Sequence, residues 1–173
     1  CACAGPEAND PDGSPYVRIM STVLHTLETA KNAGRKQLAV LIDPDFGQDE
    51  ALLEQTVQNA CMAKADLIFV GGSLLTSASF DSCVGLVKRW SDRPVVLFPG
   101  SPAQLSGHAD AVLFLSLISG RNPELLIGHH VTAAPTVRAL GIEAIPTGYM
   151  LVDGGKPTTV SYVSQTLPIP HDK

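Results

Sequence analysis

Residues 38–73 read LAVLIDPDFGQDEALLEQTVQNACMAKADLIFVGGS, and the hydrophobic period changes twice along them. LAVLI is a short, continuous apolar run. It lacks the alternation of a strand with one face in water, so it fits a strand buried on both faces. Asp43-Pro44-Asp45 ends it. From Ala51 to Ala63 the apolar side chains fall at helical spacing, with Leu52, Leu53, Val57, Ala60 and Cys61 on one side. LIFV then repeats the first run and ends on Gly71-Gly72-Ser73. Strand, amphipathic helix, strand is a βαβ unit, and a helical crossover of this kind makes the two strands parallel.

The same alternation continues downstream through PVVLFPG, AVLFLSLIS and IEAIP. Phe80 to Trp90 aligns Phe80, Cys83, Val84, Val87 and Trp90 on one helical face. A further helix is expected to open on Asn122 as its cap, with Pro123 in the first turn and Leu125 and Leu126 inward; Pro135 should kink or end it. The crossover from Pro99 to Asp110 holds two Pro and two Gly and is expected to be short or irregular. A last helical piece spans Thr158 to Thr166, before Pro168 and Pro170. Upstream, Val23, Leu24, Leu27 and Ala30 form the face of a helix capped by Ser21 or Thr22 and stopped by Gly34. Residues 1–19 read as a disordered leader with Met20 as a natural start, and 20–173 as the N-terminal part of a single domain. Five strands alternating with helices give an α/β fold around a parallel sheet. Two architectures remain open, a doubly wound sheet and the first five units of an eight-stranded barrel.

A chain of 173 residues with 45% hydrophobic content is long enough for one core. The net charge of −5 argues against a broad electrostatic attraction to nucleic acid or an anionic membrane. A phosphorylated ligand would need a divalent cation, helix-terminal N–H groups or a few placed basic side chains. The spacing of Cys1, Cys3, Cys61 and Cys83 suggests neither a disulfide framework nor a zinc site, which fits free thiols in a reducing compartment. No apolar run reaches the length of a membrane span, and the signal-peptide pattern is missing from the first residues. The expected location is cytoplasmic.

In either architecture the reactive groups belong at the carboxyl ends of the strands. Asp43 directly follows an apolar strand and is a hard oxygen donor suited to Mg²⁺. Asp-Pro-Asp is equally a good turn, and the residues alone leave both readings open. Asp45 favours a cap or a supporting position. Gly71-Gly72-Ser73 alone is a tight turn, but beside Asp43 it offers Ser73 as a second oxygen ligand. Arg121 is either a substrate-binding cation ahead of a helix start or an exposed loop residue. Tyr149 either lines a pocket or fills the core. His129 and His130 are adjacent on a helix and point in different directions, against shared metal ligation.

The ordered series LIDPD, VGGS, LFPGS, SLISGRNP with LLIG, and IPTGYMLVDGG resembles the geranylgeranylglyceryl phosphate synthases and the related bacterial heptaprenylglyceryl phosphate synthases, from about Met20 to Lys173. The resemblance implies a modified (β/α) barrel of TIM type, of which this chain holds about the first five βα units. It implies transfer of a geranylgeranyl or other polyprenyl group from its diphosphate to sn-glycerol 1-phosphate, forming an ether. Asp43 and Ser73 match the family's Mg²⁺ positions; no catalytic base is assigned. Some relatives carry a Lys two places before the Asp, against the glycerol phosphate; Leu41 stands here, as in the archaeal-type branch. The family continues into a YLE-containing motif and glycine-rich loops for the acceptor, which do not occur by Lys173. The chain alone is therefore expected to be inactive, with two open sheet edges that make it unstable or sticky. A homo-oligomer and peripheral membrane contact for the product are further expectations, and no nucleic-acid partner is expected. A different phosphate-binding barrel isomerase or synthase would need acid–base groups at strand ends, where little beyond Asp43 and Glu143 is on offer. A receiver-like signalling domain would need an Asp after strand three and a Lys after strand five, where Pro99-Gly100 and Pro146-Thr147 stand.

Overall fold

The computed structural model describes residues 22–45, 49–73 and 80–172. The expected leader over 1–19, Met20 and the candidate cap Ser21 lie outside the described residues. In chain order the elements are α1 (Thr22–Asn32), β1 (Ala39–Ile42), α2 (Glu50–Met62), β2 (Leu67–Val70), α3 (Phe80–Trp90), β3 (Val95–Leu97), β4 (Ala111–Leu117), a π-helical turn (Glu124–Gly128) running into α4 (His129–Leu140), β5 (Glu143–Tyr149) and α5 (Thr159–Ser164).

The five strands form one sheet in the order β1-β2-β3-β4-β5, each parallel to the next. A doubly wound sheet reverses its strand order at a switch point, and this sheet never does. Strand order equal to chain order is the winding of a barrel. Pairing is uneven: β4 and β5 match along seven residues, whereas β3 meets β4 only at Val96↔Ala111 and Leu97↔Val112.

Alternate strand residues serve two cores. On the helix side Ile42, Ile68, Val70, Val95 and Leu97 pack with Leu53 and Val57 of α2 and Val84 and Val87 of α3. On the other side, the inner face of a barrel, Leu67, Val96, Ala111, Leu113 and Ile145 pack with Val23, Leu24 and Leu27 of α1. The apolar stripe of α1 is thus spent on the sheet's inner face rather than in the outer layer. Its first amides are held by a distant side chain: Val23 N and Leu24 N donate to the Glu143 carboxylate at 2.9 and 3.1 Å.

Asn122 caps as expected, accepting from Glu124 N at 3.0 Å. Of the two expectations for Pro135, that it ends the helix is corrected, because α4 runs on to Leu140. Pro135 and Val131, whose carbonyl loses its intrahelical donor, are both exposed, so solvent replaces that one bond. The placing of Pro146-Thr147 after strand five is also corrected, since both lie within β5. Among the described residues β5 is an edge strand, where a proline without an N–H is tolerated. The crossover over 98–110 contains no helix, as its Pro and Gly content suggested. Thr158 caps the short α5 in a capping box with Ser161, and Gln165 stops it at φ 50°.

Candidate functional site

Asp43 directly follows β1 at its carboxyl end. The two readings of Asp43 are compatible. Its Oδ1 accepts from Asp45 N at 3.0 Å, which closes the Asp-Pro-Asp turn. Its Oδ2 faces the end of β2, where a Cβ on Gly72 would stand 3.4 Å away. Asp45 thus supports the turn.

The end of β2 passes the end of β3 at backbone contact. A Cβ on Gly71 would run into the Phe98 carbonyl, and one on Gly100 into the Gly72 carbonyl. Only glycine permits that approach. A buried side chain then clasps the two loops: Gln104, 1% exposed, donates Nε2–H to Gly72 O at 2.9 Å. Its Oε1 accepts from Gly100 N at 3.1 Å and, at greater length, from Gly72 N at 3.4 Å. Ser73, half-buried, follows Gly72 directly. Beneath this corner lies Cys83, whose thiol is pushed up to about 11 by burial and then by the charge of Asp43.

A cavity of about 120 Å³ opens beside the corner. Its polar edge is Gly72, Ser73, Gly100 and Ser101; its walls include Leu113, Leu115, Leu125, Ala133, Val160 and Val163. Tyr149 also lines it, with its ring edge-on to Phe98 at 5.9 Å, and Phe98 stacks on Phe69 at 6.1 Å. The missing crossover helix between β3 and β4 leaves this space, which α4 and α5 wall from the far side.

His129 and His130 both line the cavity without forming a metal pair. His130 Nε2 lies 2.7 Å from Leu115 O, so Nε2 carries the proton, and the ring stacks on Phe114 at 4.0 Å. Arg121 is exposed in the loop after β4 and does not line the cavity. Glu143 sits at the amino end of β5, the opposite end of the sheet from Asp43, and is engaged by α1. That removes it as a strand-end acid or base.

Among the described residues no group of three or more His, Cys, Asp or Glu is arranged to hold a metal. One carboxylate and one hydroxyl at adjacent strand ends do not make a closed cage, but they fit Mg²⁺, which keeps waters and takes its other oxygens from substrate phosphates. Gln104, by contrast, was not legible as a site residue. It sits in an aperiodic Pro/Gly-rich crossover, and its partners are backbone atoms, of Gly100 four residues before it and of Gly72, 32 residues before it.

A profile described as the PcrB family matches residues 32–173. The geranylgeranylglyceryl phosphate synthase of Chitinophaga pinensis is 57% identical over 143 residues, covering 83% of this chain and 56% of that protein. The synthase of the same name from Spirosoma linguale is 48% identical over 147 residues, covering 85% and 59%. A crystal structure of (S)-3-O-geranylgeranylglyceryl phosphate synthase from Thermoplasma acidophilum, in complex with sn-glycerol-1-phosphate, superposes with a TM-score of 0.78 at 34% identity, covering 90% of this chain and 61% of that one. The chain therefore spans less than two thirds of the length of these relatives.

Proposed function

The chain belongs to the PcrB family, and from that premise we propose that it serves a Mg²⁺-dependent prenyltransferase, which moves a geranylgeranyl or other polyprenyl group from its diphosphate to sn-glycerol 1-phosphate. The observation that carries the reading is the juxtaposition of a polar strand-end corner with an apolar cavity. A polyprenyl diphosphate has the same two halves. Its anionic head matches Asp43, through a cation, and Ser73; its hydrocarbon tail matches the leucine, valine and alanine walls.

When bound, Mg²⁺ on Asp43 and Ser73 would neutralise charge on the departing diphosphate. The protein's own part is to orient and to exclude water. The backbone-packed loops of β2 and β3 give Ser73 a fixed place beside Asp43. The apolar walls keep water from the allylic carbon, so that the glycerol hydroxyl is the nucleophile that reaches it. Tyr149 adds an aromatic surface at the cavity, able to face developing positive charge without reacting with it. Arg121, exposed on its loop, is kept as a candidate for attracting phosphate from outside the cavity. A homo-oligomer and a peripheral contact with the membrane that receives the lipid go with this reading; among the described residues no helix is long and apolar enough to cross one.

The test is Asp43→Asn in the full-length protein, assayed with geranylgeranyl diphosphate and sn-glycerol 1-phosphate. Ether formation should fall on the order of a hundredfold, as when one electrostatic stabiliser of a transition state is removed. Unchanged rate and Mg²⁺ dependence would dismiss the metal assignment, and no ether product from the unmutated protein would dismiss the reaction.

A further inference from the structure

We infer that Gln104 is a positioning residue for the diphosphate–metal corner, holding the Ser73 loop at its working distance from Asp43 through the backbone of Gly72. The inference rests on the metal reading proposed above. Four observations meet at this side chain. Gln104 is almost fully buried and all its hydrogen-bonding partners are backbone atoms of two strand-end loops, Gly72 and Gly100. Those loops touch without intervening side chains, since neither Gly71 nor Gly100 has room for a Cβ. Strand pairing reaches only the first residue of each loop, through Phe98 N to Val70 O at 2.8 Å and Gly71 N to Ile42 O at 3.2 Å, and stops short of Gly72 and Gly100. Finally, the crossover over 98–110 contains no helix to brace the loops from outside.

The clasp therefore replaces two missing supports, and it does so one residue from Ser73. Carbonyl and N–H of Gly72 are both engaged by one carboxamide, which fixes the peptide planes on either side of Gly72 and hence the direction in which Ser73 leaves. Gln104 itself does not line the cavity, so its influence on a ligand passes through that backbone. Supporting groups of this kind typically change metal affinity by about 10–100-fold when removed.

The experiment uses the full-length protein and Mg²⁺ with inorganic diphosphate as the probe, read by calorimetry. Gln104→Leu, which keeps the side chain's bulk and loses every hydrogen bond, should weaken binding of the probe by about tenfold or more. Gln104→Glu, which keeps the acceptor for Gly100 N and loses the donor to Gly72 O, should fall between. In turnover the Mg²⁺ concentration for half-maximal rate should rise more than kcat falls. A folded Gln104→Leu protein that binds the probe within about twofold of the unmutated one overturns the inference. An unmutated protein that does not bind the probe overturns the metal reading instead. A second measurement needs no variant: the side-chain NH₂ resonances of Gln104 should shift and exchange more slowly when the probe is added. Unmoved resonances at saturating probe also overturn the inference.

Discussion

At the residue scale the site turns on how single side chains divide their bonds. Asp43 gives one oxygen to its own turn and presents the other to the neighbouring strand end, so closing the turn leaves an oxygen over. That division was hidden in the sequence, because a local Asp-Pro-Asp pattern reports the turn and carries no information about what lies across the sheet. Gln104 was hidden for a related reason, since its partners are backbone atoms and leave no trace in residue type. Cys83 makes a prediction of its own. Its folded thiol has a pKa raised from the ordinary 9.0 to about 11, first by burial and then by Asp43. The folded state therefore holds the proton more tightly than the unfolded chain does. The resulting stabilisation is complete below pH 9 and is lost as the pH climbs through 11. Thermal melts should decline over that interval, and Cys83→Ala should flatten the decline. Alkylation mapped by mass spectrometry at neutral pH should leave Cys83 unmodified under native conditions and reach it in denaturant.

At the element scale the periodicities did most of the work. Continuous apolar runs marked β2, β3 and β4 because these strands are covered on both faces, whereas Leu41 of β1 is exposed and β5 alternates buried with exposed residues; helical spacing marked α2 and α3 because each buries one stripe against the sheet. The errors fall where tertiary context overrides a local rule. Pro135 is accommodated on an exposed helix face, and Pro146 sits in a strand whose outer edge is open among the described residues. The placement of α1 was equally out of reach, since an amphipathic stripe says what is buried but not against which face. Its anchor, Glu143, is 8% exposed and fulfils the role of an N-cap from another element. Glu143→Ala should cost about 2 kcal/mol, the upper range for losing a cap, with two buried or half-buried amides left unpaired. Urea unfolding measures it, and hydrogen exchange should show the first turn of α1 opening while α3 stays protected.

At the scale of the whole molecule, an all-parallel sheet gathers its carboxyl-end loops on one side, which is why a polar corner, an aromatic row and an apolar cavity meet there. Periodicity alone left the barrel and the doubly wound sheet both open; the family resemblance implied the barrel, and a strand order equal to chain order bears that out. Among the described residues β1 and β5 each have an unpaired edge, and Leu41 is 52% exposed on the inner face of β1. Isolated as 173 residues, the chain should self-associate through these surfaces. Sedimentation across a concentration series checks it; a single monomeric species throughout would show that the edges are blunted. The bond between Glu143 and α1 also has a meaning in time. During synthesis α1 leaves the ribosome ahead of the other described elements, yet its cap follows 120 residues later. Until β5 emerges, the helix that closes the inner face has neither its anchor nor its complete floor, so a helix made before the sheet is among the last elements to be secured.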